Sequence, residues 1–206
     1  MATPPLPPAR GALLRRIQRQ LEHFYAIERH FDVVDFVREV DDAEREVLLV
    51  REDHEDDVFE LALLLPGRLM EPDSPRGDDL DGLLQALEGV SHFVYLTERV
   101  RANLPTTLLE LELQAEVDKF VLLALEGEAA LDEQRRAALC ERLFERVRFL
   151  DDPGSAHGER YRLANNLAAR YVRRLDPGIG GTALRARLRR FYRAGQTEKI
   201  HLAHAA

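Results

Sequence analysis

The chain has 206 residues, 45% of them apolar and 32% charged, with a net charge of −8 at pH 7. That balance excludes a chain disordered throughout, and the absence of any apolar run near the ~18 residues of a membrane span argues against an integral helical membrane protein. The length suits one domain with a core of its own.

Residues 1–9 carry four prolines and are expected to form a disordered tail. The stretch MATPPLPPARGALLRRIQRQ lacks the continuous apolar segment and small-residue cleavage site of a secretory signal. The single cysteine, Cys140, cannot build a disulfide framework, so a cytoplasmic protein is expected. In AALCERLF it reads as a small buried hydrophobe rather than a nucleophile, because no electropositive neighbourhood is evident to activate it.

Residues 10–206 are expected to fold as a single domain, with a helix and β-hairpin over 10–70 and a helical bundle over 78–206. Leu13, Leu14, Ile17, Leu21 and Phe24 recur at helical spacing and predict a helix from about Gly11 to Ile27. The segment HFDVVDFVREV, 30–40, fits either a short helix capped by Asp32 or a strand. REVLLVR and DVFELALLL, separated by EDHED, predict a hairpin around residues 45–65, which needs helices or a further strand to hold it. Helices follow near 79–102, 106–126, 132–150, 157–175 and 183–203, the last with a break at Gly195, separated by turn-forming segments. The fold class is α+β, predominantly α: an N-terminal helix and β-hairpin followed by a bundle of about five helices.

LLELELQAEVDKF, residues 108–120, alternates apolar and polar like a strand. Thr107 and Glu110 nevertheless form a capping box, and the apolar run FVLLALEG extends the segment beyond strand length, so a helix is predicted. Wound at about 100° per residue, Leu109, Leu113, Val117, Phe120 and Ala124 form one face, with Leu111, Ala115 and Leu122 nearly opposite. A helix apolar on two sides is a central helix. Glu112 and Glu116 then lie between apolar residues and need a cation or a proton. The preceding helix carries a polar strip of Glu88, His92 and Arg99, with Tyr95 at its edge, and the short NLP turn makes the two helices antiparallel neighbours.

Glu88, His92, Glu112 and Glu116 therefore form a candidate site for a hard divalent metal, or an acid–base group. The competing expectation is a structural polar layer in which Arg99, Lys119 and His92 neutralise the acids. EDHEDD at 52–57 lacks the ligand order of a calcium loop, and GIGGT at 178–182 follows no strand. Both read as turns. No catalytic triad, phosphate loop or cofactor fingerprint is present, so no organic cofactor is expected.

The charge is uneven. Residues 1–29 carry +3 and residues 156–206 carry +8, leaving −19 between them. The C-terminal helix LRARLRRFYRAG sets Leu184, Leu188, Phe191 and Tyr192 against Arg185, Arg187, Arg189, Arg190 and Arg193, a candidate anion or nucleic-acid surface. No helix-turn-helix, zinc finger or RNA-binding signature supports it, and the acidic middle is an equally good partner. Only Lys119 and Lys199 are lysines, so Arg abundance alone does not indicate phosphate recognition.

EGVSHFVYL at 88–96, followed by LLELELQAEVDKF, resembles segments of an uncharacterised family of bacterial proteins over about a third of the chain. That resemblance carries no activity and no functional residues. The expectation is a non-enzymatic cytoplasmic interaction or regulatory protein that binds a protein partner or a second copy. Its alternatives are a nucleic-acid-associated protein and a metal-dependent enzyme with its site between helices 79–102 and 106–126.

Overall fold

A computed structural model describes residues 6–40, 45–53, 58–66, 78–125, 132–175 and 181–205. The first helix, α1 (Pro8–Tyr25), has proline in its opening turn, where the missing N–H breaks no intrahelical bond. Regular structure thus begins inside the stretch expected to be a tail. Leu14, Ile17, Leu21 and Phe24 are buried as their spacing requires.

Both readings of residues 30–40 hold, in succession. An Asp32 carboxylate oxygen accepts the Val34 N–H and opens a 3-10 turn over Val33–Asp35, and strand β1 (Val37–Val40) follows. The expected hairpin is β2 (Val47–Asp53) and β3 (Val58–Pro66), antiparallel from Val47 opposite Leu64 to Asp53 opposite Val58. β1 adds to the other side of β3 in parallel, giving the order β1-β3-β2. The third strand and the helices behind it supply the support that an isolated hairpin lacks.

Helix α2 (Asp78–Arg101) lies on this sheet, and Gly89 marks the contact: a Cβ there would stand 3.0 Å from Leu63 Cδ1. Helix α3 (Leu108–Leu125) starts at the capping box, where the Thr107 N–H donates to Glu110 Oε2 at 2.9 Å and the Glu110 N–H donates to Thr107 Oγ1 at 3.2 Å. The segment expected to be one helix over 132–150 is shorter. Helix α4 (Glu133–Cys140) widens into a π turn over Glu141–Glu145, and the chain then leaves the helix. The Arg146 N–H closes that turn on the Glu141 carbonyl, five residues back, which ends the regular ladder. Val147, Phe149 and Leu150 instead run along the edge of a cleft. Cys140 is a buried free thiol.

Helix α5 (Ala156–Arg173) follows, capped by Ser155. The last helix breaks at Gly195 into α6 (Gly181–Arg193) and α7 (Gln196–His204). α3 sits at the centre, touching α1, α2, α4, α5 and α7. GIGGT lies outside the described residues up to Gly180, and most of EDHEDD, residues 54–57, lies outside them too. Among the described residues no helix is long and apolar enough to cross a membrane.

The start of α5 is held tightly. The Gly158 N–H donates to Ser155 Oγ at 3.0 Å, and a Cβ on Gly158 would collide with the backbone carbonyl of Asp152. Gly158→Ala is expected to lower stability by about 1–3 kcal/mol, as overpacking does, although alanine is the better helix former. Urea unfolding of the two proteins measures the difference, and a stabilised variant would show that the close approach is absent.

Candidate functional site

The alternation of α3 resolves into two polar rows on roughly opposite faces, separated by two apolar faces. Glu112, Glu116 and Lys119 form one row. Glu110, Gln114 and Asp118 form the other.

The first row meets α2, as the strip of Glu88 and His92 requires. Lys119 Nζ donates to Glu88 Oε2 at 2.5 Å and to Glu116 Oε1 at 2.8 Å. His92 Nε2 lies 3.5 Å from Glu112 Oε2, and Arg160 Nε of α5 lies 3.8 Å from Glu112 Oε1. Glu88, His92 and Glu112 each offer a metal-ligand atom within 4.8 Å of the others. The fourth predicted residue, Glu116, joins them through Lys119. Arg99 does not join them: its guanidinium donates to the Pro105 carbonyl and pairs with Glu110 at 3.4 Å, on the opposite face of α3. Arg160 takes the place that the sequence assigned to Arg99. It comes from a helix remote in sequence, where no local pattern announces it.

Glu46, just before β2, completes the group. It is 6% exposed and its carboxyl hydrogen-bonds Glu88. Burial and the neighbouring Glu88 charge push the Glu46 carboxyl well above the usual range, so it keeps its proton. Glu88 is held at about 2: burial raises it, but Lys119, His92 and the Glu46 donor outweigh that. Burial lowers the His92 imidazole, and Glu112 and Glu88 more than reverse the effect, favouring imidazolium. The cations Lys119, His92 and Arg160 thus face the carboxylates Glu88, Glu112 and Glu116, with Glu46 neutral.

This group forms the floor of a cleft of about 450 Å³, reached by Glu46, Glu88, Glu116 and Lys119. Leu84, Leu143, Val147, Phe149 and Leu150 supply apolar walls, and Arg142, Arg146 and Arg148 stand around it. Arg45 pairs with Asp151 at 3.1 Å and stacks over the Tyr161 ring, its Cζ 5.1 Å from the centroid, joining the sheet side to the start of α5.

The second row is buried. Asp118 accepts from the Tyr25 hydroxyl at 2.5 Å, the Ser91 hydroxyl at 2.6 Å and Gln114 Nε2 at 2.8 Å. Lys199 of α7, 0% exposed, donates to Gln114 Oε1 and the Phe191 carbonyl, its ammonium 4.3 Å from the Phe191 ring centroid. Burial lifts Asp118 to about 6 against those donors, and lowers Lys199 to about 7. Neither residue stood out by motif. One signal was present: a chain that uses arginine for nearly every cation retains lysine at 119 and 199 alone, and both are buried.

The predicted anion surface is divided. Arg189 donates to the Phe24 carbonyl at the end of α1, Arg190 pairs with Glu198 at 3.1 Å, and Arg185 covers the Phe24 ring. Arg187 and Arg193 are exposed.

Comparison with family models, with curated proteins and with solved structures finds no match.

Lys119→Met leaves two buried carboxylates without their cation and is expected to cost about 3–5 kcal/mol at neutral pH. Denaturant unfolding measures it, and adding Glu88→Gln and Glu116→Gln to the same chain should restore most of the loss. Lys199 gives a pH signature. Its ordinary value of 10.5 falls to about 7 on folding, so between those values the unfolded chain holds a proton that the folded one has released, and stability rises with pH. Unfolding free energy should therefore increase from pH 7 to 9 in the wild type and increase less in Lys199→Met. Equal slopes would mean that Lys199 is not buried as described.

Proposed function

We propose that this chain is a non-enzymatic binding module and that the cleft over Glu46, Glu88, Glu116 and Lys119 is where it binds a small molecule. The observation that carries this is the cleft itself: about 450 Å³, with apolar walls and a charged floor. Small-molecule sites have volumes of about 300–1,000 Å³ and combine apolar linings with a few convergent polar groups. The floor is preorganised, because Lys119 is fixed by two carboxylates at 2.5 and 2.8 Å. A fixed charge pattern suits recognition, since a ligand has little ordering to impose on it. The setting we propose is cytoplasmic, in keeping with the lone buried thiol. The expectation of a protein partner or second copy draws on edge strand β2, where Val47, Leu49 and Val50 are exposed.

A second reading, a divalent metal held by Glu88, His92 and Glu112, draws on the 4.8 Å grouping of their ligand atoms. It requires Lys119 to release Glu88, and it requires His92 to lose the proton that Glu112 favours.

Backbone amide NMR of the purified protein, titrated with a library of small polar and apolar fragments, tests the first reading. Shifts are expected to concentrate in residues 45–46, 84–88, 116–119 and 142–150, and hits confined to other surfaces would overturn it. Zinc or manganese added to the same sample tests the second. A melting temperature raised in the wild type and unmoved in His92→Gln is its expected result.

A further inference from the structure

We infer that the cleft takes a small zwitterion with an apolar body, its ammonium seated against Glu46 and Glu88 and its carboxylate held at the mouth by Arg142 and Arg148. This rests on the reading of the cleft as a binding site and names the class of ligand.

The pairing of charges within the cleft leads there. Lys119 is taken up by Glu88 and Glu116, Arg45 by Asp151 at 3.1 Å, and Arg146 by Glu141 at 2.7 Å. What remains is unequal at the two ends. On the floor, Glu46 is buried and makes no ion pair among the described residues; its carboxyl hydrogen-bonds the Glu88 carboxyl and its own backbone N–H. At the mouth, Arg142 and Arg148 are exposed and make no ion pair among the described residues. Of the groups that reach the cleft, Glu88 and Glu116 outnumber Lys119 on the floor, where Glu46 can give up its proton to a cation, and the exposed Arg142 and Arg148 outnumber the exposed Asp81.

Gln85 sharpens the assignment at the floor. It lies one helical turn before Glu88 and lines the same cleft, and its buried Oε1 has no hydrogen-bond donor among the described residues. A buried acceptor left unpaired costs free energy. An ammonium brings three N–H donors, enough for Glu46, Glu88 and the Gln85 amide oxygen together. A carboxylate brings none, and would meet the Glu88 carboxylate and the Gln85 amide oxygen, the Glu46 proton being already given to Glu88. The orientation is therefore ammonium inward. The cleft's apolar lining, which includes Leu84, Leu143 and Phe149, suits an aliphatic or aromatic body.

Free amino acids and short peptides share this chemistry, and so does an ω-amino acid with its charges further apart. The separation between floor and mouth selects among them, so the probes are leucine, the dipeptide Leu-Leu and 6-aminohexanoate, with N-acetyl-Leu-Leu and Leu-Leu-amide as single-charge controls.

Calorimetric titration of the full chain with these five compounds is the test. At least one zwitterion is expected to bind, and loss of either charge should weaken binding tenfold or more. Glu46→Gln, which keeps a neutral hydrogen-bonding side chain, should weaken the zwitterion and leave the acetylated control unchanged. The double variant Arg142→Ala, Arg148→Ala should weaken the zwitterion and leave the amide control unchanged. Circular dichroism melts of both variants establish that they fold. Capped and free compounds binding within twofold of each other would overturn the zwitterion assignment. So would silence from all five while other fragments bind the cleft, a result that keeps the binding site and removes its ligand class. No binding of any compound or fragment at the cleft removes both.

Discussion

A carboxylate taken out of water must find a cation, a set of hydrogen-bond donors or a proton, and α3 takes several out of water on two faces at once. The helix meets the requirement differently on each side. Toward α2 and α5 it uses ions: Lys119 bridges Glu88 and Glu116, and His92 and Arg160 flank Glu112. On the opposite face Asp118 receives neutral donors, the hydroxyls of Tyr25 on α1 and Ser91 on α2. Removing one member of such a layer leaves an uncompensated charge, whereas apolar replacement of the whole layer is often tolerated. The layer therefore constrains which helices can sit against α3 and in what register, because a neighbour shifted by one turn would strand its partner.

The same layer makes the cleft. Glu88, Glu116 and Lys119 line its floor, and the chain after Glu145 leaves the helix and runs around the opening. Fold stability and the candidate site draw on the same residues, so a substitution on the floor must be judged on unfolding before it is judged on binding.

Much of this was legible in the sequence. The capping box at Thr107 and the two apolar faces identified α3 as a central helix, and the i, i+4 spacing of Glu88 and His92 set them opposite Glu112. Gly195 marked the break between α6 and α7. What local pattern could not give were the partners contributed from far away in the chain. Glu46 precedes a strand, Arg160 lies on α5 and Lys199 on α7, and each reaches α3 only after the whole chain is folded. The early end of α4 was hidden for a related reason, since residues 146–150 keep apolar side chains that serve the cleft edge rather than a helix face.

Arginine abundance also has a structural use here. Arg189 closes the end of α1 on the Phe24 carbonyl, Arg174 reaches the Ala203 carbonyl near the end of α7, and Arg136 reaches the carbonyls of Arg173, the last residue of α5, and Leu175 just after it. Helix C-termini present unpaired carbonyls and partial negative charge, and a guanidinium satisfies both with a fork of donors. Lysine is kept for positions where a compact ammonium must fit among acceptors in the interior. Lys119 and Lys199 are the chain's only lysines; Lys199 is sealed in the interior, and Lys119 shows only at the cleft floor, where two carboxylates hold it. A lysine-specific endoprotease finds its cleavage points only when the helices around α3 separate, so its rate of cutting reports the opening of the core and nothing of the surface.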